Sequence, residues 1–180
     1  MAGITGGCSG MALKVCKFGG TSLADANQIR KVKAIVESDP TRRFVVPSAP
    51  GKRSKQDKKI TDLLYLCNAH VAQEVPFEEI FAIIEKRFRG IVKDLGLDLD
   101  LTDEFERIKR NIEAGVSPDY AASRGEYLNG LILAELLNAE FIDAEEVIFF
   151  DSLGRFDAAQ THQVMSERLS DVERGVIPGF

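Results

Sequence analysis

The stretch from Leu13 to Ser22 constrains the chain more than any other. Its apolar members Leu13, Val15 and Cys16 lead into Lys17, Phe18, Gly19, Gly20, Thr21 and Ser22, and a helical pattern begins at once. That order reads as a strand, a tight turn and a helix N-terminus. Glycine has no Cβ, so the backbone N–H groups of such a turn can come close to an anion. A helix start adds unpaired donors and a positive dipole end. Lys17 adds a full charge, and Thr21 and Ser22 add hydroxyls. The expectation is a phosphate or carboxylate cradle at the carboxyl end of a first strand. The alternative is an ordinary strand–helix turn with Ser22 as the N-cap. The spacing is neither a P-loop nor a dinucleotide fingerprint, because G-x-x-x-x-G-K-[ST] and G-x-G-x-x-G are both absent here.

The rest of the chain repeats the alternation. A helix from Ser22 to about Ser38 carries Ile29, Val32, Ile35 and Val36 at helical spacing, and Asp39-Pro40 stops it. Arg43–Val46 reads as a buried parallel strand. Pro47-Ser48-Ala49-Pro50-Gly51 is a second turn with a hydroxyl and a glycine. The segment 52–59 after it has five basic residues of eight, which suits a solvated loop or a flap that attracts polyphosphate. Further helices are expected from Thr61, over Val75–Leu95, from a Thr102 cap to about Ala114, and from Ser117-Pro118-Asp119 to about Asn138. The last of these carries Ser123-Arg124-Gly125-Glu126. Glycine inside a helix costs about 1 kcal/mol relative to alanine, so Gly125 and Gly130 suggest close approach by another group. Glu126 is either aimed at a ligand or, with Arg124, on the helix's open face. Short strands are expected at Glu140–Asp143 and, as strand or buried turn, at Val147–Phe150. A hairpin loop at Asp151–Gly154, a helix over Ala158–Leu169 and a strand over Gly175–Phe180 complete the chain.

Strands alternating with helices imply an α/β fold with a mainly parallel sheet covered on both faces, a three-layer αβα sandwich. Ligands in such sheets sit beyond the carboxyl ends of the strands. The 180 residues are 44% hydrophobic, enough for a real core in one domain. The net charge of −5 argues against bulk nucleic-acid binding. Cys8, Cys16 and Cys67 are scattered, which suits a reducing, cytoplasmic setting and neither a disulfide framework nor a zinc site. No run approaches the ~18 apolar residues of a membrane span. Residues 1–10 read as a flexible Gly-rich leader or extension, and residues 11–180 as the folded part.

Taken together and in order, Lys17–Ser22, Ser48-Ala49-Pro50-Gly51, Ser123–Glu126 and Val176-Ile177-Pro178-Gly179-Phe180 resemble the aspartate kinases of the amino-acid kinase family. The resemblance runs over about residues 13–180 and implies the N-terminal, aspartate-binding part of an amino-acid kinase fold. It implies transfer of the ATP γ-phosphoryl group to the β-carboxylate of L-aspartate, the first step towards lysine, threonine and methionine. ATP and Mg2+ are then needed, with the ion held mainly by the phosphates. By resemblance, Lys17 would be catalytic and would hold the phosphates together with Phe18, Gly19, Gly20, Thr21 and Ser22. Ser48, Thr61, Glu126 and Phe180 would line the aspartate pocket, Glu126 holding the amino group. A homo-oligomer is implied for a full-length protein. Pro47 departs from the aliphatic residue usual before Ser48. The family's later Gly-Arg-Gly-Gly-Ser-Asp segment is absent, so the chain is expected to be inactive alone. A glutamate-type substrate and a non-catalytic folded remnant are the alternatives.

Overall fold

A computed structural model describes residues 12–180, so the leader expected at 1–10 lies outside the described residues. The chain runs β1 (Lys14–Phe18), a single 3-10 turn (Gly20–Leu23), α1 (Ala26–Glu37), β2 (Arg42–Pro47), α2 (Ile60–Ala72), α3 (Glu78–Leu95) and α4 (Thr102–Glu113). It continues through α5 (Pro118–Leu137), β3 (Glu140–Phe141), α6 (Ala144–Val147), α7 (Ala158–Leu169) and β4 (Gly175–Val176). The four strands form one parallel sheet in the order β1-β2-β4-β3. Every strand therefore points its carboxyl end to the same rim.

Strand alternation builds the layers. Successive side chains on a strand face opposite ways. Val45 and Val176 turn to one side, into a large core with residues of α1 to α5. Phe44, Ile142 and Ile177 turn to the other, into a smaller core with Val147 and Val172, backed by Val164, Met165 and Leu169 of α7. This is the three-layer αβα sandwich expected from the pattern. The large core is centred on Phe81, Phe88 and Phe105, all essentially fully buried and meeting edge-on or tilted at 6.4 Å between centroids. Burying each ring contributes about 2 kcal/mol. Cys67 lies in the same core, and burial pushes its thiol up to about 12. The far face is covered more thinly: Val15, paired with Phe44 in register, stays exposed, as do Phe150, Leu153 and Phe156 of the hairpin beyond α6.

Several element ends differ from the expectation. Ser22 does not cap α1; the chain first makes the 3-10 turn, and Asp25 caps the helix by accepting from the Gln28 N–H at 3.0 Å. Ser22 lies inside the 3-10 turn, and Asp25 is the residue directly before α1. Thr102 is the first residue of α4, not its cap; Asp100 accepts both its N–H and its hydroxyl. Val147 closes the short helix α6, and Phe150 makes only an antiparallel bridge to Phe156 around the expected hairpin loop. The last strand is two residues long instead of six. The expected ends at Gly96 and Asn138 are both left-handed caps, and Ser117 caps α5 by accepting from the Tyr120 N–H at 3.1 Å.

Candidate functional site

Two turns meet at the carboxyl rim of the sheet. The first follows β1 and carries Gly19–Ser22; the second follows β2 and carries Ser48–Gly51. They are joined backbone to backbone. The Ser48 N–H donates to the Phe18 carbonyl at 3.0 Å, and the Gly51 N–H donates to the Gly20 carbonyl at 2.8 Å. A Cβ on Gly20 would lie 2.8 Å from the Ala49 carbonyl oxygen, and one on Gly51 only 2.6 Å from the Gly20 carbonyl carbon. The two glycines are there because the turns touch. Gly19 differs: a Cβ there would meet nothing within 4 Å. The open member of the pair is thus Gly19, beside the exposed Lys17.

The second turn is also held from behind. Asn129 of α5, fully buried, donates Nδ2 to the Ser48 carbonyl at 2.7 Å. Arg87 of α3, 6% exposed, donates Nη2 to the Gly51 carbonyl and Nη1 to Asp57 at 2.6 Å. Asp57 also accepts from the Arg53 backbone N–H and Nε at 2.9 Å. These hydrogen bonds hold its carboxyl well below the usual carboxylate range against the opposing effect of burial. Gly125 explains the glycine inside α5, since a Cβ there would sit 2.9 Å from the Ala49 Cβ. Gly130 does the same against Phe141, at 2.8 Å.

Glu126 faces this assembly. It is the one residue of 121–130 that is not buried. Burial pushes its carboxyl above the ordinary 4.5, against the Gly179 N–H, the Lys17 charge, the Ala49 N–H and the Ser48 hydroxyl, which all favour the ionised form. A Cβ on Gly179 would come within 3.2 Å of its Oε2. A cavity of about 370 Å³ opens beside it, lined by Gly20, Thr21, Ser48, Gly51, Thr61 and Glu126 with Lys52 and Lys59 from the basic segment. Hydroxyls, one carboxylate and two ammonium groups on one wall suit a small polar ligand that carries both signs of charge.

The structure thus brings Gly20, Thr21, Ser48, Thr61 and Glu126 to one cavity, with Lys17 acting on Glu126 from the end of β1. Phe18 and Ser22 are not on its wall. Phe180 is 54% exposed and lines a neighbouring cavity of about 680 Å³ with Tyr120, Ser123, Arg124, Phe150 and Gly179. Arg124 is not on the open face of α5. It is 6% exposed, its guanidinium 4.6 and 4.8 Å from the Tyr120 and Tyr127 ring centroids, with Nε and Nη2 given to the Ser123 hydroxyl. The sequence reading missed Asn129, Arg87 and Asp57. No local signal marks them: Arg87 lies 36 residues from the carbonyl it holds, and Asn129 lies 81 from its own. No group of three or more metal-ligating side chains occurs among the described residues.

Fold and site together define an α/β protein with a polar cavity at the carboxyl ends of parallel strands. The family model "Amino acid kinase family" matches residues 12–180, and the chain belongs to that family. It is 34% identical over 143 residues to aspartokinase 3 of Bacillus subtilis, an alignment covering 75% of this chain and 31% of that protein. It is 31% identical over 141 residues to the lysine-sensitive aspartokinase 3 of Escherichia coli, covering 73% and 30%. Among solved structures, the aspartate kinase of Clostridium acetobutylicum superposes with a TM-score of 0.92 at 55% identity, covering 94% of this chain and 39% of that one. E. coli aspartokinase III, solved with lysine and aspartate, superposes at 0.72 and 26% identity, covering 93% and 41%. The chain spans about a third of the length of the curated relatives it matches.

Proposed function

We propose that the chain is the aspartate-side part of an aspartate kinase, which moves the ATP γ-phosphoryl group onto the β-carboxylate of L-aspartate. The observation that carries this reading is Glu126, set beside Ser48 and Thr61 on the cavity wall and within the field of Lys17. The names of the relatives support it, as does the aspartate present in the E. coli structure.

The residues fit the chemistry. A β-carboxylate oxygen is already an anionic nucleophile, so no general base is needed. It forms a bond to the γ-phosphorus while the bond to the β,γ-bridging oxygen breaks, and ADP leaves with that electron pair. The difficulty is bringing two anions into line, and positioning and positive charge overcome it. Lys17, at the end of β1, steadies the transferring group, with Phe18, Gly19, Gly20, Thr21 and Ser22 forming the phosphate side. Gly19 leaves room there, because nothing occupies the place of its missing Cβ. Glu126 pairs with the substrate ammonium, which replaces the solvent it has lost and keeps it ionised. Ser48 and Thr61 give hydroxyl contacts to the carboxylates, and Phe180 borders the substrate side from the neighbouring cavity. Mg2+, held mainly by the nucleotide phosphates, would neutralise part of their charge.

The same reading places the reaction first on a route to lysine, threonine and methionine, in a cytoplasmic enzyme that is a homo-oligomer at full length. The 180 residues are expected to bind without turning over. Calorimetry with L-aspartate and with Mg-ATP tests binding, and coupled ADP release tests turnover. Binding of L-glutamate in preference to L-aspartate would reassign the substrate. Binding of neither amino acid nor nucleotide would reduce the chain to a folded scaffold. ADP release at a rate usual for a complete kinase would overturn the expected inactivity.

A further inference from the structure

The turn Ser48–Gly51 forms one wall of the cavity, yet its own residues are small and cannot fix it. Its position comes from four hydrogen bonds at its ends. At Ser48 the N–H goes to Phe18 and the carbonyl receives Asn129. At Gly51 the N–H goes to Gly20 and the carbonyl receives Arg87. Three of these four partners are either neighbouring backbone or a neutral amide. Arg87 is a buried cation, and burying a cation is costly unless it is paired.

Asp57 is the group that makes that burial tolerable. It sits 2.6 Å from Arg87 Nη1 and is itself gripped by Arg53 through backbone and side chain. Burial still pushes the Arg87 guanidinium down, and its Nε lies buried with no partner. An arginine kept in place at that cost, with one fork on an aspartate and the other on a single carbonyl, is placed for that carbonyl. The path Arg53, Asp57, Arg87, Gly51, Gly20 runs from the basic segment to the turn that follows Lys17 and β1.

We propose that Arg87 and Asp57 are a positioning pair for this site: Asp57 aims Arg87, and Arg87 fixes Gly51 and with it the contact between the two turns. Neither residue is on the wall of the cavity. Their bearing on aspartate and ATP rests on the proposed activity, but their hold on the turn does not.

Hydrogen exchange on the chain read residue by residue, in wild type, Asp57→Asn and Arg87→Met, tests the pair. The Gly51 amide, which donates to Gly20, should exchange about tenfold faster or more in both variants, as expected for a local opening with the core intact. Amides in the middle of α5, such as Ile132, should keep wild-type protection. Arg87→Lys, which keeps the charge but loses the fork, should fall between. Unchanged exchange at Gly51 in both variants would overturn the proposal. So would equal acceleration at Gly51 and Ile132 in Asp57→Asn, which keeps side-chain size and separates positioning from general stability. Calorimetry on the same variants then shows the consequence. If wild type binds L-aspartate or Mg-ATP, the variants should bind at least several-fold more weakly. If wild type binds neither, the functional reading fails, and Gly51 exchange still decides this one.

Discussion

The two turns at the rim look alike as sequence and are unlike as structure. The turn after β1 is open: Lys17, Gly19, Thr21 and Ser22 are exposed, and Gly19 has empty space around it. The turn after β2 is enclosed: Ala49 and Pro50 are buried, and backbone or side chains of β1, α3 and α5 hold it. The first can change its surroundings when a ligand arrives. The second is the fixed reference against which that change is made. A site that must align two reactants benefits from one adaptable wall and one rigid one.

The strongest way to break this contrast is Gly51→Ala. Its Cβ would meet the Gly20 backbone, which cannot rotate away, so about 3 kcal/mol of stability should be lost, as in severe overpacking. Urea unfolding of the chain measures this, and an unchanged midpoint would mean that the second turn is not rigid. Lys17→Met is next. Stability should hold within about 0.5 kcal/mol, as for other exposed substitutions. Mg-ATP affinity should fall roughly thirtyfold, the loss of about 2 kcal/mol from a charged hydrogen bond. Calorimetry that found nucleotide binding intact would move the phosphate site away from the first turn.

Glu126→Gln sharpens the contrast through pH. Because burial raises the folded-state value of Glu126, the folded chain binds its proton more tightly than the unfolded chain does. That contribution to stability is full below the ordinary 4.5 and is lost as pH rises through the raised folded value. The glutamine variant should lack this decline, so it gains on wild type between pH 4 and pH 7, while binding L-aspartate more weakly. Urea midpoints at the two pH values check the sign; a wild-type advantage that grew with pH would reverse it. The smallest effect is Gly19→Ala. With φ of −77° and open space at the Cβ position, it should change stability by less than about 0.5 kcal/mol. Calorimetry of the same variant with Mg-ATP shows whether the space is needed by a ligand: weaker binding is the expected result.

Sequence legibility followed the same division. The strands, the parallel sheet and the helix over Pro118–Leu137 were readable because period and caps are local properties. The open turn was readable too, because lysine, glycine and hydroxyl chemistry is carried by neighbours in the chain. The enclosed turn was readable as a turn, but what anchors it was not. Gly20 was assigned to ligand approach from its motif; it lines the cavity, and its Cβ-free side also faces Ala49, a contact the motif does not announce. Gly125 gave the right hint, a glycine costly to a helix, without naming the partner. Arg87, Asp57 and Asn129 act across the fold, and nothing in the local pattern sets an anchoring arginine in α3 apart from a solvated one. The Ser22 and Thr102 caps failed for a different reason. In each case the helix boundary lies elsewhere, with Asp25 capping α1 and Asp100 holding Thr102 itself, and spacing alone does not fix that boundary.

The strand order β1-β2-β4-β3 has a consequence in time. Strands β1 and β2 are near neighbours in the chain and can pair while much of it is still being made. Strand β3 cannot join them at once, because its bridge to β2 is β4, which comes after it in the chain. Until Gly175 and Val176 arrive, Phe141 and the rest of β3 wait beside α5 with no sheet to enter. Non-local pairing of this kind slows folding. The wall that brings the Gly179 N–H to Glu126 therefore forms after the two turns carried by β1 and β2.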